Sequence, residues 1–296
     1  MRKSMLFKKI TSFFQQKPEV PVCEKLRAFD APAYAVEQYQ IDSLVRMTGI
    51  CEFRGKRILE IGGSNLPVEL TRDYLGAKEW VCVDNMPTAF DHAKSAAHYA
   101  RHTVQKLTPK SRLNFSHYSI FDGKIEDIPA SFHNKFDLVV SFCAFEHFTH
   151  PEMILDVVKK CLKKDGRLLS YFGPIFSCAC GHHCWVNTTL NFNDYTHLPK
   201  FCHLLMTPDE LEQHLLNFYP LETVRKAIDQ IYYSDRINRF HYEDYVRFFE
   251  NAGFSECSVS SGYEEPVEED ILCQVTSAYP QYSNFTTYSI FVSCKK

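Results

Sequence analysis

No apolar run in this 296-residue chain approaches the roughly 20 residues that cross a bilayer. Residues 1–16 also lack the long apolar centre and small-residue cleavage site of a secretory signal. Neither a membrane span nor export is expected. An excess of one charge is missing too: 33 Lys and Arg stand against 36 Asp and Glu, for a formal net charge of −3. That balance argues against general nucleic-acid binding, which neutralises phosphates with clustered cations. Internal repeats and low-complexity tracts are absent.

What the chain does have is cysteine, 12 residues scattered without the regular spacing of a small disulfide framework. A reducing, cytoplasmic setting is the expectation. With 45% hydrophobic residues the chain can bury a substantial core, and its length fits one large α/β domain carrying an insertion. At the N-terminus, Arg2, Lys3, Lys8, Lys9 and Lys17 surround Leu6, Phe7, Ile10, Phe13 and Phe14. This basic amphipathic pattern suits a terminal helix docked on the domain or on a second subunit, and at most a peripheral contact with an anionic membrane.

The most informative stretch is Arg57-Ile58-Leu59-Glu60-Ile61-Gly62-Gly63-Ser64-Asn65, an apolar strand that runs into a glycine turn just after an acid. Glycine at 62 and 63 lets the backbone turn sharply and approach a ligand where a Cβ would collide. Downstream, Trp80-Val81-Cys82-Val83-Asp84 is a second apolar run ending in a carboxylate. An α/β sheet presents an acid to the two hydroxyls of a ribose at that place.

Apolar alternation and helical spacing predict strands at 57–62, 80–84, about 113–118, 136–141 and 166–172, with helices over about 67–76, 89–106 and 151–163. Repeated strand and helix mean a parallel sheet covered on both faces. Ligands bind such sheets at the carboxyl ends of the strands, where Gly62, Asp84 and Ser141 fall. Residues 18–32 read as a linker, and 33–51 have helical spacing through Ala35, Tyr39, Leu44 and Met47. Residues 1–50 are thus expected to form an N-terminal helical segment that closes over the cleft of a domain spanning 51–296. An insertion over about 175–239 carries its own helix start at Thr207-Pro208-Asp209-Glu210 and reads as a lid or a dimerisation element. A helix at 241–252, a strand near 255–260, a helix at about 266–279 and a last strand at 286–293 complete the order.

The glycine loop and Asp84, followed by Lys135-Phe136-Asp137-Leu138-Val139-Val140-Ser141, Phe145-Glu146-His147-Phe148 and Leu162-Lys163-Lys164-Asp165-Gly166-Arg167-Leu168-Leu169, resemble in order and spacing the class I S-adenosylmethionine-dependent methyltransferases, over roughly residues 55–174. The resemblance implies an α/β, Rossmann-like sheet, mostly parallel with its last strand antiparallel, and S-adenosylmethionine as cofactor. Serine at 64 replaces that family's second glycine. Carried over, Glu60, Gly62, Gly63, Ser64, Asp84 and Asn85 would hold the cofactor. Glu60 would attract its sulfonium and amino end, or else pair with a neighbouring base. Asp84 would accept both ribose hydroxyls, or else cap the next helix. Asp122, Ile125 and Glu126 are candidates for the adenine, with loop solvation as the alternative for the acids. Ser141, Phe142 and Glu146 would border the cofactor, with core packing the alternative for Phe142.

The segment from Gly173 to Trp185 follows the fifth strand of the resembled fold and should hang over the methyl group. Its paired His182 and His183 could deprotonate a hydroxyl, with His147 in reserve; a backbone-bonded loop histidine is the alternative. A Gly-His-His element here is similar to methyltransferases of bacterial surface-polysaccharide and other sugar pathways. It implies a small polar acceptor, methylated on oxygen before nitrogen. Cys178, Cys180, His182, His183 and Cys184 are zinc-competent, but they lack the paired spacing of a structural site. Glu146-His147 lacks the first acid of a Glu-x-x-Glu-His metal motif, so no metal is expected. Asp194, Tyr195, His197 and His203 are further pocket candidates. Two rival readings are a non-catalytic binding or scaffold protein of the same fold and a nicotinamide oxidoreductase. The loop Gly62-Gly63-Ser64-Asn65-Leu66-Pro67 fails the Gly-x-Gly-x-x-Gly spacing the latter needs.

Overall fold

The computed structural model describes residues 20–63, 66–85, 102–114 and 116–296. The basic N-terminal segment, Ser64 and most of the helix expected over 89–106 lie outside the described residues. Two helices open the described chain, α1 Val22–Arg27 and α2 Gln38–Thr48. The first corrects the linker expected over 18–32. Leu26 is fully buried, and with Phe29 and Ala31 it joins the core, while Pro21 precedes the first helical residue, where no backbone N–H is needed. In α2 the Glu37 and Gln40 side chains cap each other's backbone N–H groups.

The sheet elements follow as β1 Arg57–Ile61, β2 Glu79–Asp84, β3 Val104–Lys106, β4 Tyr118–Asp122 and β5 Phe136–Phe142. A single π-helical turn, Leu70–Tyr74, stands where a helix over 67–76 is expected. Next come α3 Pro151–Cys161 and β6 Leu162–Phe172. The insertion holds a small hairpin, β7 Trp185–Asn187 with β8 Leu190–Asn191, and three helices, α4 Cys202–Leu205, α5 Pro208–Leu215 and α6 Leu221–Ile228. The chain closes through α7 Tyr242–Asn251, β9 Glu256–Glu264, α8 Glu269–Ala278 and β10 Thr287–Lys295.

Eight strands form one sheet in the order β3-β4-β2-β1-β5-β6-β10-β9. Pairings from β3 through β6 are parallel, and β10 runs antiparallel to both β6 and β9. This is the mostly parallel sheet with an antiparallel last strand that the sequence predicts. The strand expected at 113–118 is displaced to Tyr118–Asp122. There Ser119, Ile120 and Phe121 are buried and Asp122 aligns with Asp84, whereas Asn114 and Ser116 spend their polar groups on a turn, the Ser116 hydroxyl donating to Asn114 Oδ1 at 2.8 Å.

Alternate strand residues face opposite layers, as pleating requires. Leu59, Ile61, Val81 and Val83 join one core, and Ile58, Trp80, Cys82 and Ile120 the other. The insertion has a core of its own around Leu211, Leu215, Val224 and Ala227. Its helix α5 begins with the expected reciprocal cap, Thr207 N–H donating to Glu210 Oε2 at 2.8 Å. Ten cysteines are free. Cys257 and Cys294, directly opposite on β9 and β10, are bonded, a pairing their spacing does not signal. Among the described residues no helix is long and apolar enough to cross a membrane.

Candidate active site

β1, β2 and β4 all end at one edge of the sheet, where Gly62, Asp84 and Asp122 stand side by side. Gly62 has a φ of +66°, in the left-handed region, and a Cβ built on it would stand 2.5 Å from the Ala144 Cβ and 3.3 Å from the Phe148 ring. The turn is therefore pressed against the segment that follows β5. A Cβ on Gly63 would meet the Glu60 carboxylate at 2.2 Å, so Glu60 fills the space beneath the turn. Its side chain is wholly buried, and Oε2 accepts the Trp80 indole N–H at 2.6 Å and the Cys82 thiol at 3.4 Å. Glu60 thus props the turn from below, tied to the indole of Trp80.

Asp84 stands half-buried at the end of β2, with Asn85 exposed beyond it. The Asp84 carbonyl accepts the Gly123 N–H at 3.0 Å, which ties the ends of β2 and β4 together. Asp122 is buried and ion-paired with Lys106 of β3, a partner the sequence conceals because that short edge strand is not foreseen. Ile125 packs into the core and Glu126 is exposed. Ser141 is buried and donates to the Ile61 carbonyl at 3.1 Å, locking β5 to β1, and Phe142 lies in the core.

Next to the glycine turn stand the turn after β5, the turn after β6, and α2. Glu146 is wholly buried, and its Oε1 accepts the Gly173 N–H at 3.1 Å. Burial pushes its carboxyl up to about 8 against the pull of that bond. The thiol of Cys143, donating to the Gly173 carbonyl at 3.6 Å, is also held well above its ordinary range by burial. Tyr39 reaches in from α2, its ring stacked 6.2 Å from that of Tyr171, and burial raises its hydroxyl in the same way. Asn238 braces the turn from the other side. Its Nδ2 donates to the carbonyls of Phe145 and Phe148 at 2.7 and 2.9 Å, while Tyr245 donates to its Oδ1 at 2.6 Å. No sequence signal marks Asn238 for this part.

The candidate bases, His182 or His183 with His147 in reserve, are divided. His147 and His183 meet edge to face with ring centres 5.3 Å apart. His147 is exposed and donates from Nδ1 to the Arg236 carbonyl. His183, stacked on Phe192, donates from Nε2 to the Pro174 carbonyl at 2.6 Å, which leaves the lone pair on Nδ1. Burial, then the neighbouring His147, push its imidazole down to about 3.

His182 turns the other way. It is buried with its ring 5.4 Å from that of His203, and its Nδ1 accepts the Cys184 N–H at 3.1 Å. Its Nε2 and His203 Nδ1 are both buried without partners, and His203 Nε2 donates to the Phe176 carbonyl at 2.7 Å. Ligand atoms of His182, Cys202 and His203 lie within 4.8 Å of one another. The proton count places the hydrogen of neutral His182 on Nε2 and a lone pair on His203 Nδ1. In that tautomeric state the cluster offers a cation two lone pairs, not three. Of the remaining pocket candidates, His197 pairs with Asp194 at 2.8 Å, and Tyr195 donates to Glu265 at 2.8 Å.

Residues 64–188 match the family model described as a methyltransferase domain. No protein of curated function matches the chain in sequence. Among solved structures, an S-adenosylmethionine-dependent methyltransferase from Listeria monocytogenes is 16% identical, with a TM-score of 0.47 over 86% of this chain and 97% of that one. One from Mesorhizobium loti is 14% identical at a TM-score of 0.46, covering 92% and 100%. Phosphoethanolamine N-methyltransferase 2 of Haemonchus contortus is 14% identical at 0.46, covering 86% and 52%. At the turn itself Gly62 lies against Ala144 and Phe148, Gly63 lies against the Glu60 carboxylate, and Asp84 ends the adjacent strand. Residues 64–188 thus match a methyltransferase domain and lie in a mostly parallel, Rossmann-like α/β sheet.

Proposed function

We propose that the chain transfers the methyl of S-adenosylmethionine to a hydroxyl oxygen of a small polar acceptor, a sugar or a sugar-containing metabolite. The observation that carries this reading is the pressing of the glycine turn onto the segment after β5, which joins the cofactor edge to the His147–His183 pair. The cofactor supplies an activated methyl on a sulfonium. The chain's own tasks are alignment in a dry cleft and removal of one proton.

In this reading Gly62 and Gly63 admit the cofactor's backbone-facing side and Asp84 accepts its ribose hydroxyls. His183 accepts the acceptor's proton at Nδ1. Burial keeps it neutral across the physiological range, with Nδ1 open and His147 beside it, but also makes it a weak base. α2, through Tyr39, closes the acceptor side. The insertion serves as the lid.

Calorimetry with S-adenosylmethionine and with NAD tests the cofactor: binding of the first alone is expected, and binding of NAD alone would overturn the reading. A screen of pooled sugar nucleotides for S-adenosylhomocysteine formation then tests the acceptor class. Turnover on amines but on no hydroxyl compound would move the proposal from oxygen to nitrogen. Tight cofactor binding with no turnover on any pool would favour the scaffold reading.

A further inference from the structure

Glu146 is a buried carboxyl that the proposed proton transfer does not use. Its side chain is inaccessible to solvent, Oε1 is taken by the Gly173 N–H, and Oε2 is buried with no hydrogen-bond partner. Such orphaned polar atoms are rare in folded proteins and point to a missing interaction. The titratable groups that face it are Cys143 in its own turn, Tyr39 from α2 and Tyr245 from α7, all neutral and all raised by burial. Among the described residues no cation acts on it, and the side chain that favours its charged form is the Cys143 thiol.

Its position is as telling as its isolation. Ala144 two residues before it and Phe148 two residues after it are the side chains that Gly62 presses against. Glu146 therefore sits at the centre of the arch that roofs the cofactor turn. With burial holding its carboxyl at about 8, it is protonated at neutrality, and because Oε1 already accepts a bond, the hydrogen resides on Oε2.

We propose that Glu146 is the counter-charge of the sulfonium: Oε2 keeps its proton while the cleft holds no cation and releases it when a positively charged donor is seated. The inference rests on the methyl-transfer reading. An opposite charge within a few ångströms stabilises a buried carboxylate by roughly one to three units of proton affinity, and a neutral thioether supplies none of this. The same carboxyl would then favour the methylated cofactor over its demethylated product, which aids exchange after each turnover. Below about pH 8 the proton must be expelled for the cation to be paired. Affinity for S-adenosylmethionine should therefore rise with pH up to that point, and affinity for S-adenosylhomocysteine should not.

The test is titration calorimetry at pH 7 in buffers of different ionisation enthalpy, with S-adenosylmethionine and S-adenosylhomocysteine, on the full chain and on Glu146→Gln. Expected is a release of about one more proton in the wild type than in the variant with the cationic ligand, and no difference with the neutral one. The wild-type preference for the cationic ligand should fall by about tenfold or more in the variant. Equal proton release in both proteins, or an unchanged preference, overturns the inference. Should Glu146→Gln fail to fold, carboxyl-13C-glutamate in the wild type replaces it. A resonance titrating near pH 8 should move to lower pH with S-adenosylmethionine and stay put with S-adenosylhomocysteine, and a resonance indifferent to both would count equally against the proposal. Failure of both ligands to bind would overturn the methyl-transfer reading as well, whereas binding of both without these differences overturns the role of Glu146 alone.

Discussion

Gly62 lies so tightly against Ala144 that a methyl group placed on it would come 2.5 Å from the Ala144 Cβ. That contact fastens the cofactor turn to the roof that carries Glu146 and His147. Gly62→Ala would add the cost of a left-handed φ, about 1–2 kcal/mol, to a steric overlap of similar size. A lower melting temperature and a loss of S-adenosylmethionine binding are expected. A variant that melts and binds like the wild type would show that the turn is not held by this contact.

The Trp80 indole N–H donates to the buried Glu60 Oε2 at 2.6 Å. Trp80→Phe keeps most of the apolar volume and removes the N–H, and loss of that charge-assisted bond costs about 1–3 kcal/mol. Urea denaturation should show the midpoint fall with the slope unchanged. An unchanged midpoint would mean that another donor takes over.

For Asp84→Asn the expectation is weaker binding of S-adenosylmethionine by about tenfold or more, because one acceptor oxygen and a charge are lost where a ribose would be held. Asp84 is only half-buried, so its melting temperature should stay near that of the wild type. Calorimetry and a thermal scan on the same sample separate the two effects.

His183→Ala should lower turnover by about a hundredfold or more, the scale of a lost general base. Affinity for the cofactor should remain nearly unchanged, since His183 meets His147, Phe192 and the Pro174 carbonyl rather than the glycine turn. Steady-state rates on the acceptor found by screening, set beside binding calorimetry, give the comparison. An equal loss in both would remove His183 from the chemistry.

Stability should peak near pH 6.5. His183 and His203 are held down to about 3 and 4, and His182 is lowered as well, against an ordinary 6.5. Between those values the unfolded chain binds protons that the fold refuses. The stability these groups contribute is complete above 6.5 and lost as pH falls. Glu146 has the opposite sign. Raised to about 8 from 4.5, it binds a proton in the fold that the unfolded chain has released, so its contribution is lost as pH rises through 8. Denaturation midpoints from pH 4.5 to 9 should trace both limbs, and Glu146→Gln should flatten the alkaline one.

Much of the scaffold is legible in local pattern. The apolar runs ending at Ile61, Asp84 and Ser141 become adjacent parallel strands whose ends coincide, and Thr207-Pro208-Asp209-Glu210 becomes the helix start it spells. The displacement of β4 and the helix at Val22–Arg27 are not legible there. Both depend on burial against distant segments, which outweighs the polar and proline signals nearby.

By itself, then, the sequence determined the strands that end at Ile61, Asp84 and Ser141, the glycine turn and the carboxylate at 84, because period, turn chemistry and strand ends are properties of neighbours in the chain. Only the tertiary structure decided which side chains face the cleft. His182 and His183 are consecutive, yet a left-handed backbone at His183 turns them to different partners, His203 on one side and His147 on the other. Lys106 claims Asp122, and Glu146 keeps an orphaned oxygen, for the same physical reason: charge pairing and desolvation are set by what folding brings alongside from far away in sequence.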